Sequence, residues 1–146
     1  MDLAPWLAVQ TERVMPRIIV GAAIISGGRV LACERAEPPE MAGKWEFPGG
    51  KVDPGETEVQ ALVRECQEEL GVDVEVGQRV GDDIAMLNGT AVLRVYVATL
   101  INGAQPVALE HSDLRWLAVG ELYSVPWLPA DAPIVRALEP LLPSTA

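Results

Sequence analysis

The spacing of apolar positions changes several times along this chain, and each change marks an element. Arg17 to Ser26 encloses the nearly unbroken apolar run Ile18-Ile19-Val20-Gly21-Ala22-Ala23-Ile24-Ile25. A run of that length reads as a strand buried on both faces. Gly27-Gly28 supplies a hairpin turn, and Arg29 to Glu34 is the returning strand. A long loop rich in Gly and Pro then extends from Pro38 to Gly55. Further strands are predicted at Val72 to Val80, Ile84 to Leu87 and Ala91 to Ile101, with Asn88-Gly89 turning between the last two. Leu114 to Val119 is a shorter strand, Val119 to Tyr123 a helical turn, and Asp131 to Leu142 a last helix interrupted near Pro140. No repeat or low-complexity tract breaks the pattern. A mixed α/β fold follows, one sheet flanked by helices.

The period changes to helical between Thr57 and Gly71. Pro54-Gly55 marks a turn, Thr57 with Gln60 fits a capping box, and Gly71 is a C-terminal cap. Val59, Leu62, Val63, Cys66 and Leu70 form an apolar stripe. Glu65, Glu68 and Glu69 are expected on the opposite side, at i, i+3 and i+4, sharing one face. Acidic helix faces are commonly just solvated. Carboxylates this crowded repel unless cations sit among them, so the face is a candidate Mg²⁺ site, with Mn²⁺ as a substitute. Gly49 and Gly50 would let backbone approach a metal or a phosphate closely.

Composition narrows the partners. The chain has 146 residues, enough for one domain with a real core. Residues 1–14 read as a loose extension, with Met15 an internal start, and 15–146 as the single domain. The extension lacks the basic start and apolar core of a signal peptide. A net charge of −10 argues against long nucleic acids, which need a basic surface. It leaves room for a nucleotide, because bound cations invert the local field. No apolar run is long enough to span a membrane. Cys33 and Cys66 suggest no disulfide framework, and a reducing cytoplasm fits them. Monomer and homodimer are both open.

The residues flanking the glutamates sharpen the picture. Gly50, Glu56, Arg64, Glu65, Glu68, Glu69, Gly71 and Val72 fall at the positions of the Nudix hydrolase signature, G-x5-E-x7-R-E-U-x-E-E-x-G-U with U a bulky aliphatic. Cys66 departs from it at the first U, as a small buried hydrophobe that keeps the core face. Lys44 to Lys51 resembles the segment before that box in MutT-type nucleoside triphosphate pyrophosphohydrolases. Gly81 to Tyr96 and Trp127 to Asp131 resemble a MutT branch acting on cytidine nucleotides.

That resemblance implies a Nudix α/β/α sandwich and a small-molecule nucleotide substrate. It implies metal binding by Glu65, Glu68, Glu69 and the Gly49 carbonyl, with Arg64 orienting Glu65. Arg64 could equally be a surface ion pair, and Glu56 is expected either to contact or support the metal or to be a plain first-turn residue beside the helix N-terminus. Glu110, six residues before Trp116, matches an additional metal-linked carboxylate and is the candidate general base; His111 is a weaker one. Arg35 and Lys51 are candidate phosphate contacts. Trp127 and Asp131 would shape the base pocket. Asp131, if ionised, can only accept hydrogen bonds, which suits the amino group of cytosine. It could also simply cap the last helix. The expected reaction is cleavage to monophosphate and pyrophosphate, favouring CTP or dCTP, with sanitation of 8-oxo-dGTP as the close alternative. An inactive Nudix-like binding module would be signalled by lost box glutamates, and none is lost.

Overall fold

The spine of the sheet is β1 (Arg17–Ser26), because it is apolar on both sides. The computed structural model describes residues 16–144, so the extension expected at 1–14 lies outside the described residues. Val20, Ala22 and Ile24 point to one core; Ala23, with Ile19 and Ile25, points to the other. This period of two on both faces explains the unbroken apolar run. β2 (Arg29–Glu34) repeats it, with Leu31 and Cys33 on one side and Val30 and Ala32 on the other.

β1 pairs in parallel with β6 (Ala91–Leu100) along eight positions, Arg17↔Ala91 to Ile24↔Ala98. On its other edge it is shared. Its first half pairs with β4 (Gly49–Lys51), through Ile19↔Lys51, Val20↔Gly50 and Gly21↔Gly49. Its end pairs with β2 at Ile25 and Ser26. β2 carries β3 (Trp45–Glu46) and β7 (Asp113–Leu117), while β5 (Val74–Met86) pairs with the far edge of β6. The sheet is therefore mixed. One core lies under α1 (Glu58–Leu70), the other under α2 (Ala132–Leu138).

Several expectations are corrected. The two strands predicted between Val72 and Leu87 are the one strand β5, with register shifts between Val76 and Arg79 and between Val80 and Ile84. Gly81, at φ +66°, absorbs the second irregularity without ending the ladder. The loop from Pro38 to Gly55 contains β3 and β4. The last helix is shorter than expected: α2 ends at Leu138 and a 3₁₀ turn, Glu139–Leu141, continues it, because Pro140 has no N–H to donate. Val59 is 46% exposed and not part of the buried stripe. The buried face of α1 is Ala61, Leu62, Cys66, Leu70 and also Glu69. Glu69 lies seven residues after Leu62 and three after Cys66, so helical spacing puts it on the core side, not opposite.

Candidate active site

Glu69 is the buried end of the acidic face, 5% exposed. The Gly49 N–H donates to its Oε2 at 3.1 Å. Burial, the adjacent Glu65 carboxylate, and then Glu46 and Glu110 push its carboxyl up to about 9. Glu65 packs against Gly50 so tightly that an added Cβ there would lie 2.6 Å from Glu65 Oε1. β4 thus presents two adjacent glycines to two carboxylates of α1. At Gly49, φ is +153° and an added Cβ would fall 1.9 Å from the Val20 carbonyl oxygen. Only glycine allows this approach of β4 to β1.

Arg64 organises the outer part of the face. Its Nε donates to Glu56 Oε2 at 2.8 Å, and its Nη1 to Glu65 Oε1 at 2.9 Å and Glu68 Oε2 at 3.2 Å. Its Nη2 donates to the Lys51 carbonyl at 3.1 Å and to Glu56 Oε1 at 3.0 Å. The guanidinium therefore links the loop before α1 to the glutamates. It holds the Glu56 carboxyl below the usual range, by hydrogen bonding first. Glu68 stays half exposed at the rim.

Glu46 lies outside the signature, in the Lys44 to Lys51 segment that precedes it, and is not among the site residues expected from the sequence. Trp45 and Phe47 are buried in one core, so the alternation of a strand turns Glu46 the other way, toward Glu69. That alternation is the signal by which the sequence marks it. Arg35 Nη1 donates to Glu46 Oε1 at 3.0 Å, and His111 Nε2 lies 3.0 Å from Glu46 Oε2 and 3.7 Å from Glu69 Oε1. Arg35, expected to be a phosphate contact, is thus ion-paired to Glu46. His111 is 5% exposed at its side chain, and its Nδ1 has no hydrogen-bond partner. The loop carrying Glu110 and His111 is strapped on by backbone bonds, Val107 N–H to the Leu70 carbonyl at 3.0 Å, Leu109 N–H to that of Glu69 at 3.1 Å and Ser112 N–H to that of Glu34 at 3.0 Å. Glu110 itself is exposed beside the carboxylates, and Lys51 is exposed at the same rim.

Asp131 is the other buried acid, 5% exposed. It makes no side-chain cap to α2, because its Oδ1 faces the Phe47 N–H at 3.5 Å instead. Burial, then the Glu46 charge, push it up to about 7. Trp127 does not line the cleft. Its indole N–H donates to the Leu122 carbonyl at 2.6 Å, and its ring lies against Phe47 with centroids 4.9 Å apart. Its contribution is to back the wall. Trp45 N–H to the Pro126 carbonyl at 2.9 Å and Leu128 N–H to the Trp45 carbonyl at 2.8 Å fix the segment that leads to Asp131.

Several of these residues share one cleft of about 330 Å³. Glu46, Glu69 and Glu110 mark its acidic end, with Glu65 also in the lining, and Met41, Met86 and Leu128 its apolar end, with Asp131 in the same lining. The acidic end suits a hard divalent cation. Its donors are carboxylate oxygens, and the strained ionisation of Glu69 is what a neighbouring cation relieves.

The NUDIX domain family matches residues 15–138. The chain belongs to the Nudix family. This Nudix protein is 53% identical over 118 residues to the putative 8-oxo-dGTP diphosphatase 2 of Mycobacterium tuberculosis, covering 79% of this chain and 82% of that one. It is 38% identical over 120 residues to the CTP pyrophosphohydrolase of Escherichia coli, covering 82% and 88%. Among solved structures it is similar to the E. coli ORF135 protein, with TM-score 0.74, 33% identity and coverage of 88% and 91%. It is similar also to a MutT Nudix hydrolase from Burkholderia pseudomallei, with TM-score 0.69, 32% identity and coverage of 84% and 98%. The Nudix α/β/α sandwich is thus the fold, and the chain is a hydrolase of phosphorus anhydrides, a class that generally uses a divalent metal. Among the described residues, no helix is long and apolar enough to cross a membrane.

Proposed function

We propose that this Nudix hydrolase splits nucleoside triphosphates into monophosphate and pyrophosphate with Mg²⁺, and that Asp131 reads the base. The observation that carries this is the polarity of the cleft, with carboxylates at one end, apolar side chains at the other, and in its lining a buried Asp131 whose side chain makes no capping bond. Phosphates belong at the first end and the base at the second. Glu65, Glu68 and Glu69, with the Gly49 carbonyl, would hold the cation, with Mn²⁺ as a substitute. Bound there, it supplies neutralisation of phosphate charge. Arg64 keeps Glu65 and Glu68 in place. Exposed Lys51 meets the outer phosphates, and Glu110 takes the proton of the attacking water.

The relatives' names divide between a cytosine and an oxidised guanine nucleotide. Asp131 accommodates both. Ionised, it accepts from the amino group of cytosine. Protonated, it donates and accepts together, matching the O6 and N7–H edge of 8-oxoguanine. A carboxyl lifted to about 7 populates both forms near neutrality. The ratio of kcat/KM for 8-oxo-dGTP to that for dCTP cancels the shared metal chemistry. It should fall by about tenfold or more between pH 6 and 8.5, because a lost hydrogen bond to a buried edge costs ~1–3 kcal/mol. Asp131→Asn keeps a donor and an acceptor at every pH, so its ratio should be flat and favour 8-oxo-dGTP. A pH-independent wild-type ratio, or an unchanged ranking in the variant, would remove Asp131 from base recognition.

A further inference from the structure

The contact between His111 and the acidic cluster reaches beyond the oxygen ligands just described. One donor atom each from Glu46, Glu69 and His111 lie within 4.8 Å of one another. The two nitrogen–oxygen separations are 3.0 Å to Glu46 Oε2 and 3.7 Å to Glu69 Oε1. Neighbouring donors about a centre with bonds of ~2.1 Å are ~3.0–3.5 Å apart, so the Glu46 separation fits a shared ion as it stands and Glu69 Oε1 must draw in by a few tenths of an ångström. Arg35 Nη1 bonds both oxygens of Glu46, Oε1 at 3.0 Å and Oε2 at 3.3 Å, and so fixes the carboxylate with Oε2 beside the ring. The ring is buried, and its Nδ1 is unpartnered. No hydrogen bond at Nδ1 therefore pins the tautomer. As the ring stands, Nε2–H donates to Glu46 Oε2, and a cation would take the place of that proton, which can move to Nδ1.

We infer that Glu46, Glu69 and His111 form a mixed nitrogen–oxygen cation position, beside the all-oxygen face of Glu65 and Glu68, that takes a first-row transition ion such as Co²⁺, or less tightly Mn²⁺, in preference to Mg²⁺. The inference rests on the metal-dependent reading and adds a ligand and a metal class to it. Imidazole nitrogen favours the later first-row ions, whereas Mg²⁺ prefers oxygen alone. Glu69 is common to both positions, so the identity of the ion here also sets how much charge Glu69 can give to its neighbour.

The chain has one histidine, so a nitrogen signal has one side-chain imidazole source. Mn²⁺ is added to tag-free, metal-stripped protein and pulsed electron paramagnetic resonance is recorded. The expected spectrum shows ¹⁴N modulation that changes to the ¹⁵N pattern when the protein is grown on ¹⁵N-histidine. His111→Gln should abolish the modulation while Mn²⁺ remains bound, weaken Co²⁺ by about tenfold or more, and leave Mg²⁺ affinity within about twofold. The labelled wild type needs no variant to fold. Bound Mn²⁺ without nitrogen modulation in the wild type overturns this position and leaves the oxygen site standing. Failure to bind Mn²⁺ at all overturns both.

Discussion

Gly49 and Gly50 are adjacent, yet a methyl group would do different harm at each. At Gly49 it would strike backbone, the Val20 carbonyl oxygen, in a conformation that side chains rarely adopt. Gly49→Ala should cost ~3 kcal/mol or more in denaturant unfolding. At Gly50 it would meet only the end of the Glu65 side chain, which can swing aside. Gly50→Ala should keep stability within ~1 kcal/mol of wild type but lower kcat/KM by about tenfold or more, since a displaced ligand misplaces the reactants. Equal stability losses in the two variants would contradict this assignment. Glu69→Gln retains the acceptor for the Gly49 N–H and removes the charge. Turnover should fall by about a hundredfold or more. At pH 9 the metal-free variant should melt above wild type, because no carboxylate at position 69 needs to ionise. Near-normal turnover at limiting Mg²⁺ would exclude Glu69 from the metal site.

The element that matters most is α1, and both of its ends are secured. The Thr57 hydroxyl accepts from the Gln60 N–H at 3.1 Å, and the Gln60 side-chain oxygen accepts from the Thr57 N–H at 2.9 Å. Gly71 closes the other end at φ +67°. Both caps are readable from residue type and spacing alone. A third fastening is not. Glu58 receives Arg94 Nη1 at 2.7 Å and the Tyr96 hydroxyl at 2.6 Å, and Asp83 holds the same Arg94 at 3.0 Å. These partners lie 25 to 38 residues from Glu58 on β5 and β6, so no local pattern announces them. The first turn of α1 is tied to the sheet by this network. Glu58→Ala should therefore cost ~1–2 kcal/mol of stability, the scale of a partly buried charge-assisted contact. Cation affinity should stay near wild type, because Glu65 and Glu69 are held separately by Arg64 and Gly49. Wild-type stability in this variant would show the network to be mere surface decoration.

At the scale of the molecule, the two buried acids set how stability depends on pH. Glu69 is raised from 4.5 to about 9, and Asp131 from 3.8 to about 7. A raised carboxyl makes the folded state bind its proton more tightly than the unfolded state does. Stability from these groups is then present at low pH and lost as pH rises from the ordinary values through the folded ones. Metal-free protein should accordingly melt lower at pH 9 than at pH 6, by about 4 °C or more, the shift that ~1 kcal/mol produces in a domain of this size. Mg²⁺ binds the ionised form, so the rise in melting temperature on adding it should be larger at pH 9. Equal rises at both pH values would mean that the cation does not engage Glu69.

The chain by itself determined the strand that is apolar on both faces, the capped helix, and the acidic spacing of Glu65, Glu68 and Glu69. These are local patterns, set by the periods of helix and strand and by the chemistry of caps. Even the burial of Glu69 is written in its spacing from Leu62 and Cys66. The tertiary structure decided which distant residues complete the site. It brought Glu46 and Asp131 to the same cleft, from β3 and the start of α2, and set His111, from the loop before β7, against Glu46. It committed Arg35 to Glu46, withdrew Trp127 into the wall, and freed Asp131 from capping. Each of these outcomes depends on burial and on partners far away in sequence, and desolvation and charge proximity exist only once the chain has folded.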